Sequence, residues 1–275
     1  MQAGASAQFS GVPLNLVAYW VEIQRLAAIK SLGESANESM VIASVKANFE
    51  KNFRMDYLVT GSWSLKASQE AALLFEPLGK QYVNIAIDSR KASSDGKKFG
   101  FIPTDGWTLS QPSNGKPSFV YYCDNETVDG VEFPGFPTQL QALADDKSVQ
   151  AYSLGECIIV ADMSSNILSR PVDVSKYGVL FFGAQKNISS AGLTVAYVQI
   201  LSPTPSPLTN SQHHPQRHPH YHPSTIISPR PRNLVPTNSN LLARSLQSKQ
   251  SLQHPRTSPR IHSLSGNPGS PRQTP

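Results

Sequence analysis

The chain has 275 residues, 39% of them apolar and 16% charged, with a formal net charge of +5. That average joins two unlike stretches: residues 1–200 hold all 19 acidic side chains against 16 basic ones, while residues 201–275 hold 8 basic side chains, no acidic ones, all 7 histidines and 14 of the 22 prolines. No apolar run approaches the ~18 residues of a membrane span, no basic segment leads into an apolar one as in a secretory signal, and two cysteines are too few for a disulfide scaffold, so a cytoplasmic protein is expected.

Residues 1–16 pass from small residues to apolar positions at Phe9, Val12, Leu14 and Leu16. This is a tight turn opening a helix, with Pro13 in its early turns. Residues 17–55 carry helical, amphipathic spacing from Val21 to Ile29 and again from Met40 to Phe53, interrupted at Gly33. They are read as a helical insertion on the surface. From residue 56 to 200 short apolar runs alternate with helical ones. Tyr57–Thr60, Tyr82–Ile87, Ser118–Cys123, Cys157–Ala161, Val179–Phe182 and Leu193–Ile200 are strand-like, and Ser64–Leu74 is a helix with Ser64 as N-cap. Runs that are apolar throughout rather than alternating imply burial on both faces. The expected class is therefore α/β: a mostly parallel sheet with helices on both faces. Residues 201–275 cannot bury enough apolar surface to offset the ordering entropy of ~1–2 kcal/mol per residue, and are expected to be a disordered basic tail rich in Pro, Ser and His.

In open α/β sheets ligands bind beyond the carboxyl ends of the strands. The residues there are Gly61-Ser62-Trp63, Asp124-Asn125-Glu126-Thr127, Asp162-Met163-Ser164-Ser165-Asn166 and Gly183-Ala184-Gln185-Lys186-Asn187. One cofactor chemistry would use a lysine, a carboxylate and an aromatic ring from such a set together, that of pyridoxal phosphate. The lysine amine forms the Schiff base, the carboxylate keeps the pyridine nitrogen protonated, and the aromatic face packs on the ring. Each residue also has a plainer reading. A strand-end aspartate serves as a helix cap or the partner of a surface cation, a lysine after a strand as a solvated loop charge, and Trp63 as packing. No metal site is expected in this part of the chain. His213, His214, His218, His220 and His222 offer metal ligands and the +8 charge offers nucleic-acid contacts, but prolines and scattered basic residues make an inert tail the better reading.

Longer strings decide between these readings. Gln8-Phe9-Ser10, Val12 to Leu16, Val59 to Ser64, Asn125 to Glu132, Ala161 to Gly178, Gly183 to Asn187 and Ala191 to Val195 together resemble phosphoserine aminotransferase. The resemblance is dense from Asp56 to Ile200. It implies a fold-type I, pyridoxal 5'-phosphate-dependent homodimer that moves an amino group between glutamate and 3-phosphohydroxypyruvate, giving phosphoserine and 2-oxoglutarate in serine biosynthesis. By the same resemblance Lys186 is the Schiff-base lysine, Asp162 the partner of the pyridine nitrogen and Trp63 the ring-stacking residue. Thr127 and Gln185 are polar cofactor contacts, and Ala5 and Ser6 the phosphate-binding pair. The resemblance also implies a chain incomplete at both ends, without the family's substrate arginines and smaller domain. A catalytically inactive fragment that binds the cofactor is the alternative. We read the abrupt change after Ile200 as a shifted frame or unspliced intron. An uninterrupted message in this frame, found by transcript sequencing, would contradict that.

Overall fold

The computed structural model of the chain describes residues 4–33, 36–146 and 156–199. The tail expected at 201–275 lies outside the described residues.

Six strands form one sheet in the order β2-β1-β3-β6-β7-β8: β1 Met55–Val59, β2 Val83–Asp88, β3 Phe119–Cys123, β6 Ile158–Asp162, β7 Val179–Gly183 and β8 Thr194–Val198. The first five run parallel, and β8 pairs antiparallel with β7 along Val179↔Val198 to Gly183↔Thr194. The strand-like runs read from the sequence all fall on this sheet, and the central strands β1, β3 and β6 are buried along their whole length. A separate two-residue ladder, β4 Asn125–Glu126 with β5 Val131–Glu132, follows β3 directly.

Successive side chains along each strand divide the core in two. Met55, Tyr57, Val59, Phe119, Tyr121, Ile158, Val160 and Phe181 point to one face. It is covered by α1 Ala5–Leu32, α2 Glu38–Asn52 and α3 Ser62–Phe75. Leu58, Val120, Tyr122, Ile159, Ala161 and Leu180 point to the other. There the cover is unequal: the five-residue α4 Gln141–Asp145, 3-10 turns and the long connection from β2 to β3. That connection is tied down by Asp56, whose fully buried carboxylate accepts hydrogen bonds from Ser110 N (2.6 Å) and Ser110 Oγ (2.5 Å).

Three expectations change. The division at residues 16 and 17 falls inside α1, which runs unbroken through Pro13 for 28 residues. Proline removes one helical hydrogen bond, but Phe9, Pro13, Leu16 and Val17 are all buried at one-turn spacing, and that packing holds the helix together. The stretch 17–55 is not a surface appendage. Phe49 and Phe53 stack at 4.6 Å, Trp20 packs edge-on against both, and all belong to the core under β1. Ser64 is not the N-cap of α3. Gly61 takes that position, and Ser64 sits three residues on, its hydroxyl accepting hydrogen bonds from Thr60 N (3.0 Å) and Gly61 N (3.2 Å).

Candidate active site

After β1 the chain returns to β2 on one side, and β3 is laid down on the other. The carboxyl ends of β1 and β3 therefore diverge, which opens a crevice at the edge of the sheet. The described cavity lies there, about 190 Å³ in volume. Trp63 after β1, Cys123 and Asn125 at the end of β3, Asp162 and Ser164 at the end of β6, and Gly183 to Lys186 after β7 contribute to its wall. Because β8 is antiparallel, its first residue, Thr194, reaches the same edge, and α1 closes the top with Gly4, Ala5 and Gln8.

Asp162 closes β6 on the helix-covered face and is 5% exposed. Ser164 donates to its Oδ1 twice, through the backbone N–H (2.9 Å) and through the hydroxyl (2.5 Å). The Ser164 hydroxyl in turn accepts from Gly183 N at 3.1 Å, which ties the carboxylate to the strand leading into Lys186. Both hydrogen bonds that the structure gives this carboxylate fall on Oδ1, and Asp162 lines the cavity. Burial pushes the carboxyl above its usual range, while the two Ser164 bonds and then the charge of Lys186 pull it back. A cation at Oδ2 would complete that reversal.

Lys186 places its ammonium 5.4 Å from the centre of the Trp63 ring. Lys66, one turn further along α3, places its own at 4.7 Å. The indole also meets Phe9 at 6.5 Å, and its Nε1 is buried without a hydrogen-bond partner. Cys123, beside Asp162 in register, is a buried thiol pushed well up by desolvation and so is held protonated. At the mouth, the N-terminus of α1 has no side-chain cap and no acidic residue in its first turn. Its positive end is therefore open to an anion.

The structure brings Ala5, Trp63, Asp162, Gln185 and Lys186 to one cavity. Ser6 and Thr127 do not line it. One residue along a helix turns by about 100°, so the neighbour of Ala5 on the cavity side is Gln8, three positions on, and Ser6 is exposed. Thr127 is exposed at the start of the turn that Asp129 N and Gly130 N close onto Glu126 O, and Asn125 takes the lining position instead. Sequence reasoning missed the roles of Ser164, Gln8 and Thr194. Ser164 was within its reach, standing two residues beyond a strand-end aspartate; Gln8 and Thr194 carried no signal.

The chain is similar to known proteins. Residues 107–212 match the family model described as aminotransferase class-V. More particularly, the chain is similar to phosphoserine aminotransferases. It is 36% identical to that of Drosophila melanogaster over 200 residues, covering 72% of this chain and 38% of the relative. The Nitrosomonas europaea protein is 34% identical over 72% of this chain and 39% of its own length, and the Saccharomyces cerevisiae protein 43% identical over 52% and 32%. Among solved structures, a phosphoserine aminotransferase studied for radiation damage of its Schiff base aligns with TM-score 0.43 and 27% identity, over 72% of this chain and 38% of that one. The resemblance read from the sequence is thus shown, and the chain spans under two fifths of the length of these first curated relatives, 38% and 39%.

Proposed function

We propose that this chain carries the pyridoxal-phosphate site of a transaminase that exchanges an amino group between glutamate and 3-phosphohydroxypyruvate. One observation carries the reading: an amine and a buried carboxylate, Lys186 and Asp162, come from neighbouring strand ends to one cavity with an indole beside the amine. The residues present fit the cofactor. Asp162 Oδ2 suits a ring nitrogen, the Trp63 face suits the ring, and the open first turn of α1 with Gln185 suits the phosphate. When bound, the cofactor supplies a cationic ring that takes up the electron pair released at an amino acid's Cα. Lys186 Nζ would hold the cofactor, and its amine would accept and return the Cα proton. Asp162 keeps its charge against the ring cation, Ser164 fixes the carboxylate, and Cys123, protonated, adds no competing charge.

The homodimer and the cytoplasmic location implied by the resemblance belong to the same proposal. Among the described residues no helix is long and apolar enough to cross a membrane. A second reading, a cofactor binder without turnover, is favoured by one feature. Lys186 is the one cationic side chain lining the described cavity, and no arginine there reads a substrate phosphate or carboxylate. Mixing the protein with pyridoxal phosphate separates the two. Visible absorbance that glutamate bleaches supports the transaminase, absorbance without bleaching supports the binder, and no absorbance contradicts both.

A further inference from the structure

A helix start beside the cavity would ordinarily offer its free N–H groups to a ligand anion. At α3 the chain fills that place with two of its own carboxylates, Glu126 at the end of β4 and Asp129 in the connection from β4 to β5. Trp63 N donates to Glu126 Oε2 and Ser64 N to Glu126 Oε1, each at 2.8 Å. Ser62 N donates to Asp129 Oδ2 at 2.6 Å and Ser62 Oγ to Asp129 Oδ1 at 3.0 Å. Glu126 is fully buried and lies against Gly61, where an added Cβ would stand 2.3 Å from its Cγ. The absence of a side chain at Gly61 therefore admits the carboxylate to the helix start.

The division of labour is uneven. Asp129 holds Ser62, whereas Glu126 holds the residue that bears the indole and the one after it. No hydrogen bond holds the indole itself, since Nε1 has no partner. Its direction follows from the backbone at Trp63, from packing against Phe9 and from the Lys66 and Lys186 ammoniums over the ring. We propose that Glu126 is a positioning residue: by gripping the backbone of Trp63 and Ser64 it aims the indole at the Lys186 amine, so that the ring stands ready as one wall of the cofactor site. This rests on the reading that the cavity takes pyridoxal phosphate. Asp129, capping the same helix one residue earlier, contributes stability without setting the indole.

The test compares Glu126→Gln with Asp129→Asn in the full chain. Each loses charge on the same helix start, so both destabilise, and the difference between them isolates the indole. Without any cofactor, acrylamide quenching of Trp63 fluorescence, taken by difference from Trp63→Phe, is expected to rise at least about twofold in Glu126→Gln and to stay unchanged in Asp129→Asn. Affinity for 4'-deoxypyridoxine phosphate, which lacks the aldehyde and so bypasses Lys186, is expected to fall about tenfold in Glu126→Gln alone. In a Trp63→Ala background Glu126→Gln should add nothing. If Glu126→Gln does not fold, Glu126→Asp, which keeps the charge but shortens the reach, is read in its place. Equal shifts in both variants, or unchanged quenching in Glu126→Gln, overturn the proposal. A wild-type chain that binds no analogue refutes the cofactor reading alone, because quenching still decides whether Glu126 directs the indole.

Discussion

Asp162 and Asp124 show how burial and neighbours set two strand-end carboxylates apart. Asp162 lines the cavity, and the hydrogen bonds from Ser164 fall on one of its oxygens. Asn there would keep the Ser164 bonds but lose the charge that matches a ring cation, so Asp162→Asn is expected to lower turnover by about a hundredfold or more while the fold stays intact; single-turnover absorbance with glutamate measures it. Asp124 sits one residue past β3, 1% exposed, with Arg170 and Asn166 on Oδ2 and no partner on Oδ1. Burial pushes its carboxyl up to about 6, against the pull of Asn166 and Arg170 and with some help from Glu132. A folded value above the ordinary one means that this group's contribution to stability is complete below about pH 4 and is lost as pH rises through about 6. The effect is at most about 3 kcal/mol. Asp124→Asn should flatten the slope of urea stability between pH 4 and 7, and an unchanged slope would place the titration elsewhere. Asp162, Lys186 and Trp63 were legible as chemistry because each stands at, or within four residues of, the carboxyl end of a strand. Thr127 does not line the described cavity, because its position depends on a turn closed by Glu126 O, which the string Asn-Glu-Thr does not reveal.

At the level of elements, strands were easier to read than helix limits. β1, β3 and β6 announce themselves because burial on both faces selects mostly apolar residues, with Asp56 and Asp162 the exceptions. α1 passed unrecognised as one helix because the division was set between residues 16 and 17; Pro13 was read inside its early turns, and Phe9, Leu16 and Val17 packing on distant strands hold the helix together through it. The antiparallel β8 was equally hidden, because pairing direction is a tertiary property. Gly61 gives the sharpest test at this scale. Its backbone is extended and open to any residue, but the space for a side chain is occupied by Glu126, itself pinned by two amides. Gly61→Ala is expected to cost about 1–3 kcal/mol by forcing that carboxylate out of the helix start. A shift of the urea midpoint measures it. A substitution without effect would mean that the β4–β5 connection yields freely and does not clamp α3.

Across the whole molecule, strand order decides where chemistry can occur. The switch between β1 and β3 opens the sheet's carboxyl edge, and residues separated by more than a hundred positions, from Ala5 to Lys186, meet there. Strand order left no trace in composition or periodicity. The most direct test is to locate the covalent anchor. The full chain is incubated with pyridoxal phosphate, reduced with borohydride, digested and mapped by mass spectrometry. A single stoichiometric pyridoxyl modification on Lys186, abolished in Lys186→Ala and independent of residues 201–275, is expected. Modification spread over surface lysines such as Lys66, or none at all, would contradict a cofactor site built from Lys186 and Asp162.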